Sequence, residues 1–449
     1  ELGEIVGEDD VYYFGYDSLG DVISITEHLH HYIHDVVIPQ TGAKQIKICS
    51  ISLGGTIAVR YLDKYPEDYE LIKKVVFVEP ALDGSNIIGD LLTDNLSFYN
   101  EDDLYENVVV GLLGETYLAY LVNMVLRILP KDVLMNALRK MAAGVVDIAA
   151  RNSTIIWALC PTAYYEEARE IWLQGEEYDY LRAKVDDFMA SRSRFKDNLF
   201  ALMDTGCIVA DVACYDVNLF PICKDYKTTN ADRVIHAAST TLGVTFADLG
   251  TTLGDDYKAA GTYCDNPDHN HISADNMVDV STAILPENTW IFLDQHHEVG
   301  YNDVVLNLAK ALLLEEIDDV HSDPEKYPQF NEGRLVNTAK LYIEAWEEAD
   351  KSAIPSDKLA AVETAKAEID KKLGETVVVT AEWNDTVEAF RVALVNAGVI
   401  DLVSKIKNGS VETGTYTGSY DGSYSLTNGY KLAWSEDFSG NKLSKTWKL

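Results

Sequence analysis

Apolar residues along this chain recur with two alternating periods. Val11-Tyr12-Tyr13-Phe14-Gly15-Tyr16-Asp17 is a strand-like run, and Asp21 then opens a helix in which Val22, Ile25, Leu29, Ile33 and Val36 keep the ~3.6-residue period. Ile46-Lys47-Ile48-Cys49 is a second strand-like run. It hands over to a helical pattern beginning at Thr56 and carrying Ala58, Val59 and Leu62, and Val75-Val76-Phe77-Val78 is a short apolar strand closed by Glu79-Pro80. Strands are expected again at Cys207-Ile208-Val209-Ala210 and Trp290-Ile291-Phe292-Leu293. A helix follows from Asn302 or Asp303 with Val304, Val305, Leu308, Leu312 and Leu313 apolar. Alternation of strand and helix implies an α/β fold on a parallel sheet buried on both faces.

Other stretches depart from that alternation. Residues 91–200 carry long helical patterns, Tyr117 to Leu129, Val133 to Ala150 and Tyr164 to Ala190, between the strands at Val75 and Cys207. Residues 244–288 form a second insertion. From about Asp323 the composition turns to Ala, Glu and Lys with helical period, as in Leu335 to Ala349 and Lys358 to Leu373, and reads as a helical spacer over 323–408. Gly409 to Gly429, dense in Gly, Ser, Thr and Tyr, reads as a flexible linker.

The turn between the second strand and its helix carries the chemistry. Ser50-Ile51-Ser52-Leu53-Gly54, with Gly55 next, places a serine where a strand must stop and a helix start within about two residues. Such a turn forces the central hydroxyl outward and needs small residues on either side. The pattern resembles the G-x-S-x-G nucleophile elbow of the α/β-hydrolase superfamily, in its lipase, esterase and lecithin:cholesterol acyltransferase-like branch, with Ser50 standing at the first glycine. That resemblance implies a catalytic triad in the chain order serine, acid, histidine, so the acid and histidine lie C-terminal to Ser52. Asn230-Ala231-Asp232-Arg233-Val234-Ile235 is similar to the family's D-G-x-V acid loop, with Arg233 where glycine is common and His236 where proline is common. Asp232 is the expected acid and Asp216 its alternative. Gln295-His296-His297-Glu298-Val299-Gly300-Tyr301-Asn302-Asp303 resembles the histidine loop; the spacing from His297 to Asn302 and Val305 favours it over His296.

The resemblance implies a serine hydrolase of carboxylic esters. His297 takes the proton of Ser52, Asp232 holds the imidazole, and Ser52 forms an acyl-enzyme that water resolves. The Leu53 N–H is the expected oxyanion donor, with a second from a loop after an earlier strand. Residues 91–200 occupy the place of the cap, and their Leu, Met, Tyr and Trp suit an apolar acyl or aryl ester. The chain starts at Glu1, about ten residues before the first strand-like run, so the expectation is a fragment lacking its oxyanion loop and poorly active for that reason. An alternative function is a catalytically incomplete module of the same fold attached to a glycan-active enzyme. A third is a thioesterase or amidase.

At the other end, Tyr430 to Leu443 with Trp447 resembles the opening of laminarinase-like β-sandwich glycoside hydrolases. The domain expectation is therefore 1–322 hydrolase-like with its cap at 91–200, 323–408 spacer, 409–429 linker, and 430–449 the start of a β domain through which carbohydrate enters as a partner. That domain's E-x-D-x-x-E motif is absent, because Leu373 stands where Glu368-Ile369-Asp370 would need its last glutamate.

Composition limits the partners. Across 449 residues the 73 acidic side chains outnumber the 37 Lys and Arg, a net charge of −36 that disfavours nucleic acid and anionic membranes. No apolar run reaches the ~18 residues of a membrane span. The acidic balance hints at export, so the expected location is secreted or at the cell surface. Cys49, Cys160, Cys207, Cys214, Cys223 and Cys264 have no C-x-x-C spacing; Cys49 reads as buried in its strand, and pairing among the last four stays open. His28, His30, His31 and His34 read as a solvated helix face, with no glutamate completing H-E-x-x-H. Asp265 to His271 reads as a turn-rich loop satisfying its own backbone, although its donors suit calcium or zinc. No cofactor or metal is expected.

Overall fold

The computed structural model describes residues 5–7, 10–96, 122, 126, 131–259, 261, 263, 264, 266, 269–297, 303–331, 333–374 and 380–400. The chain divides into two units, Glu1–Ile400 and Asp401–Leu449. The linker at 409–429 and the segment at 430–449 lie outside the described residues, as do most of the helix expected over Tyr117 to Leu129 and the Asn302 cap.

A five-stranded, all-parallel sheet forms the centre of the first unit. Its strands are β1 (Ile46–Ile51), β2 (Ile72–Val78), β3 (Ile208–Tyr215), β4 (Thr289–Leu293) and β5 (Phe330–Asn331), hydrogen-bonded in that order. Alternate residues of the inner strands feed opposite cores, which is why these strands read as continuous apolar runs. Val75, Phe77 and Val209 pack with helix α2 (Leu53–Lys64) through Val59 and Leu62, and with α8 (Phe195–Met203) through Phe195, Leu199 and Leu202. Val76, Val78, Val212, Trp290 and Phe292 pack on α9 (Asp303–Leu313) through Val305, Leu308 and Leu312. Between β2 and β3 lie α3 (Asn86–Leu92), α4 (Lys131–Asn152), α5 (Thr154–Ala158), α6 (Thr162–Trp172) and α7 (Asp179–Ser193). Beyond the sheet, α10 (Gly333–Glu348), α11 (Ser356–Leu373) and α12 (Thr380–Ala397) bury Trp346, Val362, Ile369 and Phe390 against one another.

Several expectations change. The run Val11 to Asp17 joins no sheet; Phe14 and Tyr16 pack instead on Val22, Ile25 and Ile57. Among the described residues β1 therefore pairs on one side only. Beside it lies a cavity of about 340 Å³ lined by Tyr12, Phe14, Tyr32, Ile48 and Ile57, and Cys49 is exposed rather than buried. The helix opened by Asp21 runs as α1 (Val22–His31), widens to a π segment at Tyr32–Val37 and resumes at Ile38–Thr41. Pro39 supplies the cause, since it has no N–H and its ring displaces the carbonyl four residues back. The Tyr164 to Ala190 pattern splits into α6 and α7 around Gly175, whose φ is 104°. The last helix of the 91–200 stretch, α8, belongs to the sheet core, and β5 falls within the stretch that reads as spacer. Of the four helical histidines, His28 and His31 are exposed as expected, but His30 and His34 are not simply solvated. His30 Nδ1 and His34 Nε2 meet buried Asp68 at 2.9 and 2.7 Å, and Tyr61 Oη donates to the same carboxylate. No cysteine is disulfide-bonded.

Asp211 sits fully buried in the middle of β3, and no side chain hydrogen-bonds its carboxyl oxygens. Burial raises its pKa well above the usual value, and the nearby Leu242 and Val212 N–H groups offset only part of that. Below the unfolded-state pKa both states hold the proton and stability is unaffected. Above it the unfolded chain releases the proton while the native chain retains it, so stability falls with pH, at up to about 1.4 kcal/mol per unit, until the native pKa is passed. Asp211→Asn should therefore gain stability over the parent as pH rises from 4 to 7, read by urea unfolding at each pH. A difference that does not widen would show that Asp211 is not held neutral.

Candidate active site

Of the eight non-glycine residues with positive φ among the described residues, five gather at the C-terminal edge of the sheet. Ser52 follows β1 at φ 53°, Glu79 follows β2 at 45°, Asp216 follows β3 at 64°, Asp294 follows β4 at 49°, and Arg233 lies in the loop behind them at 92°. Left-handed backbone costs about 1–3 kcal/mol for side chains such as Ser, Glu and Arg, so its concentration here makes this edge the candidate site.

Ser52 occupies the turn between β1 and α2 with ψ −120°. The Ser52 N–H donates to the Val78 carbonyl at 3.1 Å, and its own carbonyl accepts from Gly55 and Ala81, each at 2.9 Å. The end of β2 thus fixes the turn. Space at both neighbours is tight. A Cβ on Gly54 would stand 3.1 Å from Ser50 Oγ, and one on Gly55 would stand 2.5 Å from Pro80 Cβ. Gly55→Ala must push α2 off the Glu79–Ala81 segment, an overpacking cost of about 1–3 kcal/mol. Denaturant unfolding should show that loss, whereas unchanged stability would mean the turn is loose.

The hydroxyl so presented meets an imidazole. Ser52 Oγ lies 2.7 Å from His297 Nε2, and His297 Nδ1 lies 2.8 Å from Asp232 Oδ2. Asp232 is fully buried. Its Oδ1 accepts the Val234 and Ile235 N–H groups at 2.8 and 2.6 Å, which aims Oδ2 at the histidine, and its carbonyl accepts the His297 N–H at 2.8 Å. This Asx-type turn requires the left-handed residue at Arg233, which is why glycine would suit that position. Arg233 is held by Asn218 Oδ1 at 2.9 Å and the Phe220 ring. With Nδ1–H donated to the carboxylate, Nε2 is left to accept the Ser52 proton.

The alternatives lie elsewhere. Asp216 has its N–H bound to Asn230 Oδ1 at 2.7 Å, and the imidazole at Ser52 is that of His297 rather than His296. Leu53 is the first residue of α2, where an N–H has no carbonyl in its own helix to bond. Around it, Ile155 and Ala158 of α5 and Phe188 of α7 build an apolar cluster with Leu53, Leu159 and Met189. The described part of the 91–200 stretch thus reaches the serine turn. The cavity beside β1 touches none of Ser52, Asp232 and His297.

One residue escaped the sequence reading. Glu79 is fully buried, its Oε2 is 3.4 Å from His297 Nδ1, and its carboxylate lies beside the Cys214 thiol. The signal was present, because a glutamate ending an apolar strand beside the serine turn must fall at the edge where open parallel sheets bind ligands.

Compared with known proteins, the chain matches no family model, no curated protein and no solved structure.

Proposed function

We propose that this chain is an α/β-hydrolase-like serine hydrolase of carboxylic esters. The observation that carries the reading is the hydrogen-bonded sequence Ser52, His297, Asp232, begun by a serine in strained backbone at a strand-to-helix turn. His297 Nε2 takes the Ser52 proton as Oγ bonds to the ester carbonyl carbon, and Asp232 stabilises the resulting imidazolium. The Leu53 N–H bears on the oxyanion. His297 then returns the proton to the leaving alcohol, and water repeats the sequence on the acyl-enzyme. The apolar cluster of Ile155, Phe188 and Leu159 beside Leu53 suits an acyl or aryl group. A fluorophosphonate probe and a short-chain p-nitrophenyl ester test the reading together. The expected result is one adduct per chain, on Ser52, with ester turnover lost in proportion to labelling. A folded protein that neither reacts nor turns over ester would make the binding-module alternative the better account.

A further inference from the structure

The second insertion assembles a set of donors remote from Ser52. Cys264, His269 and His271 come from one loop and Glu287 from the turn entering β4, and their ligating atoms all lie within 4.8 Å of one another. Cys264 Sγ is 3.6 Å from His269 Nδ1, which is 2.8 Å from Glu287 Oε1; His271 Nε2 approaches that same oxygen at 3.3 Å. Two imidazole nitrogens thus converge on one carboxylate oxygen, with the Cys264 thiol beside the first of them. Zinc bonds of about 2.0–2.3 Å to N, O and S place tetrahedral ligands roughly 3.3–3.7 Å apart; the 3.6 and 3.3 Å spacings fall in that range, and the 2.8 Å contact of His269 with Glu287 would open by about half an ångström to admit the ion.

The surroundings orient His271 and Glu287. His271 is buried, and its Nδ1 meets Gln329 Oε1 at 2.7 Å. Gln329 Nε2 donates to the Pro286 and Thr289 carbonyls at 2.7 and 3.0 Å, so the amide cannot turn over and Oε1 must face the histidine. His271 therefore carries its proton on Nδ1 and presents the Nε2 lone pair inward, as metal-bound histidines do. His321 Nε2 contacts Glu287 Oε2 and fixes the second carboxylate oxygen.

We infer that Cys264, His269, His271 and Glu287 form a structural zinc site. A thiolate with two imidazoles and one carboxylate suits Zn²⁺ and disfavours Mg²⁺ and Ca²⁺, which take all-oxygen shells. Glu287 precedes β4 and His297 follows it, so the site stands at the opposite end of the strand from Ser52, roughly 16 Å of strand away. Its role is to tie Cys264, His269 and His271 to the entry of β4. It is independent of the hydrolase reading.

The 449-residue chain, stripped with a chelator, should bind one Zn²⁺ per molecule and melt at a higher temperature when it does. Co²⁺ in its place should give a thiolate-to-metal charge-transfer band. Cys264→Ser should abolish that band, and His269→Ala should weaken zinc binding at least ~10-fold. Should a variant fail to fold, the parent protein still decides the matter, because Zn²⁺ must protect Cys264 from alkylation as read by peptide mapping. Absence of stoichiometric binding, Co²⁺ bound without the band, or Cys264 alkylated equally with and without Zn²⁺ would each overturn the site.

Discussion

Ser52→Ala should lower kcat for a short-chain p-nitrophenyl ester by about a million-fold, the order seen where a triad serine is removed alone, because the remaining groups act only through it. The same change should abolish fluorophosphonate labelling. Stability should hardly move. Alanine keeps the left-handed strain at φ 53° and forfeits one half-buried hydrogen bond to His297, worth about 0.5–1.5 kcal/mol. Loss of activity with an unchanged circular dichroism spectrum and melting temperature therefore separates chemistry from folding. Residual turnover within a hundred-fold of the parent, or an adduct on another residue, would place the nucleophile elsewhere and remove the basis of the proposed function.

The serine turn was legible because its determinants are local. Strand, small residues and helix sit within about ten positions, and the steric need for Gly55 against Pro80 arises from the next strand in sequence. Asp232 and His297 were singled out through the resemblance to α/β-hydrolase acid and histidine loops, and the fold brings both to Ser52. The strand at Val11 to Asp17 misled because aromatic alternation is satisfied by packing on Val22 and Ile57 as readily as by a sheet. The π segment was encoded by Pro39 inside a helical period, a signal that periodicity overlooks. The Asp265 to His271 loop advertised donors but not their partners. Glu287 comes from the entry to β4 and His321 from beyond α9, and only the fold brings them to His269 and His271.

Two buried carboxylates face one imidazole, and substitution distinguishes their parts. Asp232 holds His297 Nδ1 at 2.8 Å with its other oxygen pinned by two backbone N–H groups, whereas Glu79 Oε2 stands at 3.4 Å, beyond good hydrogen-bond length. Asp232→Asn should cost about 10⁴-fold in kcat, because the amide can donate to Nδ1 and stabilise the wrong tautomer. Glu79→Gln, which leaves the Asp232 bond in place, should cost far less, about ten-fold or under. The double variant reports whether Glu79 stands in when Asp232 is gone. If it does, Asp232→Asn/Glu79→Gln should fall at least ~100-fold below Asp232→Asn, a larger loss than Glu79→Gln causes alone, since two residues acting on one imidazole are not additive. Equal damage from both single changes would make the carboxylates a joint device, and an Asp232→Asn variant within ten-fold of the parent would make Glu79 the acid that orients His297.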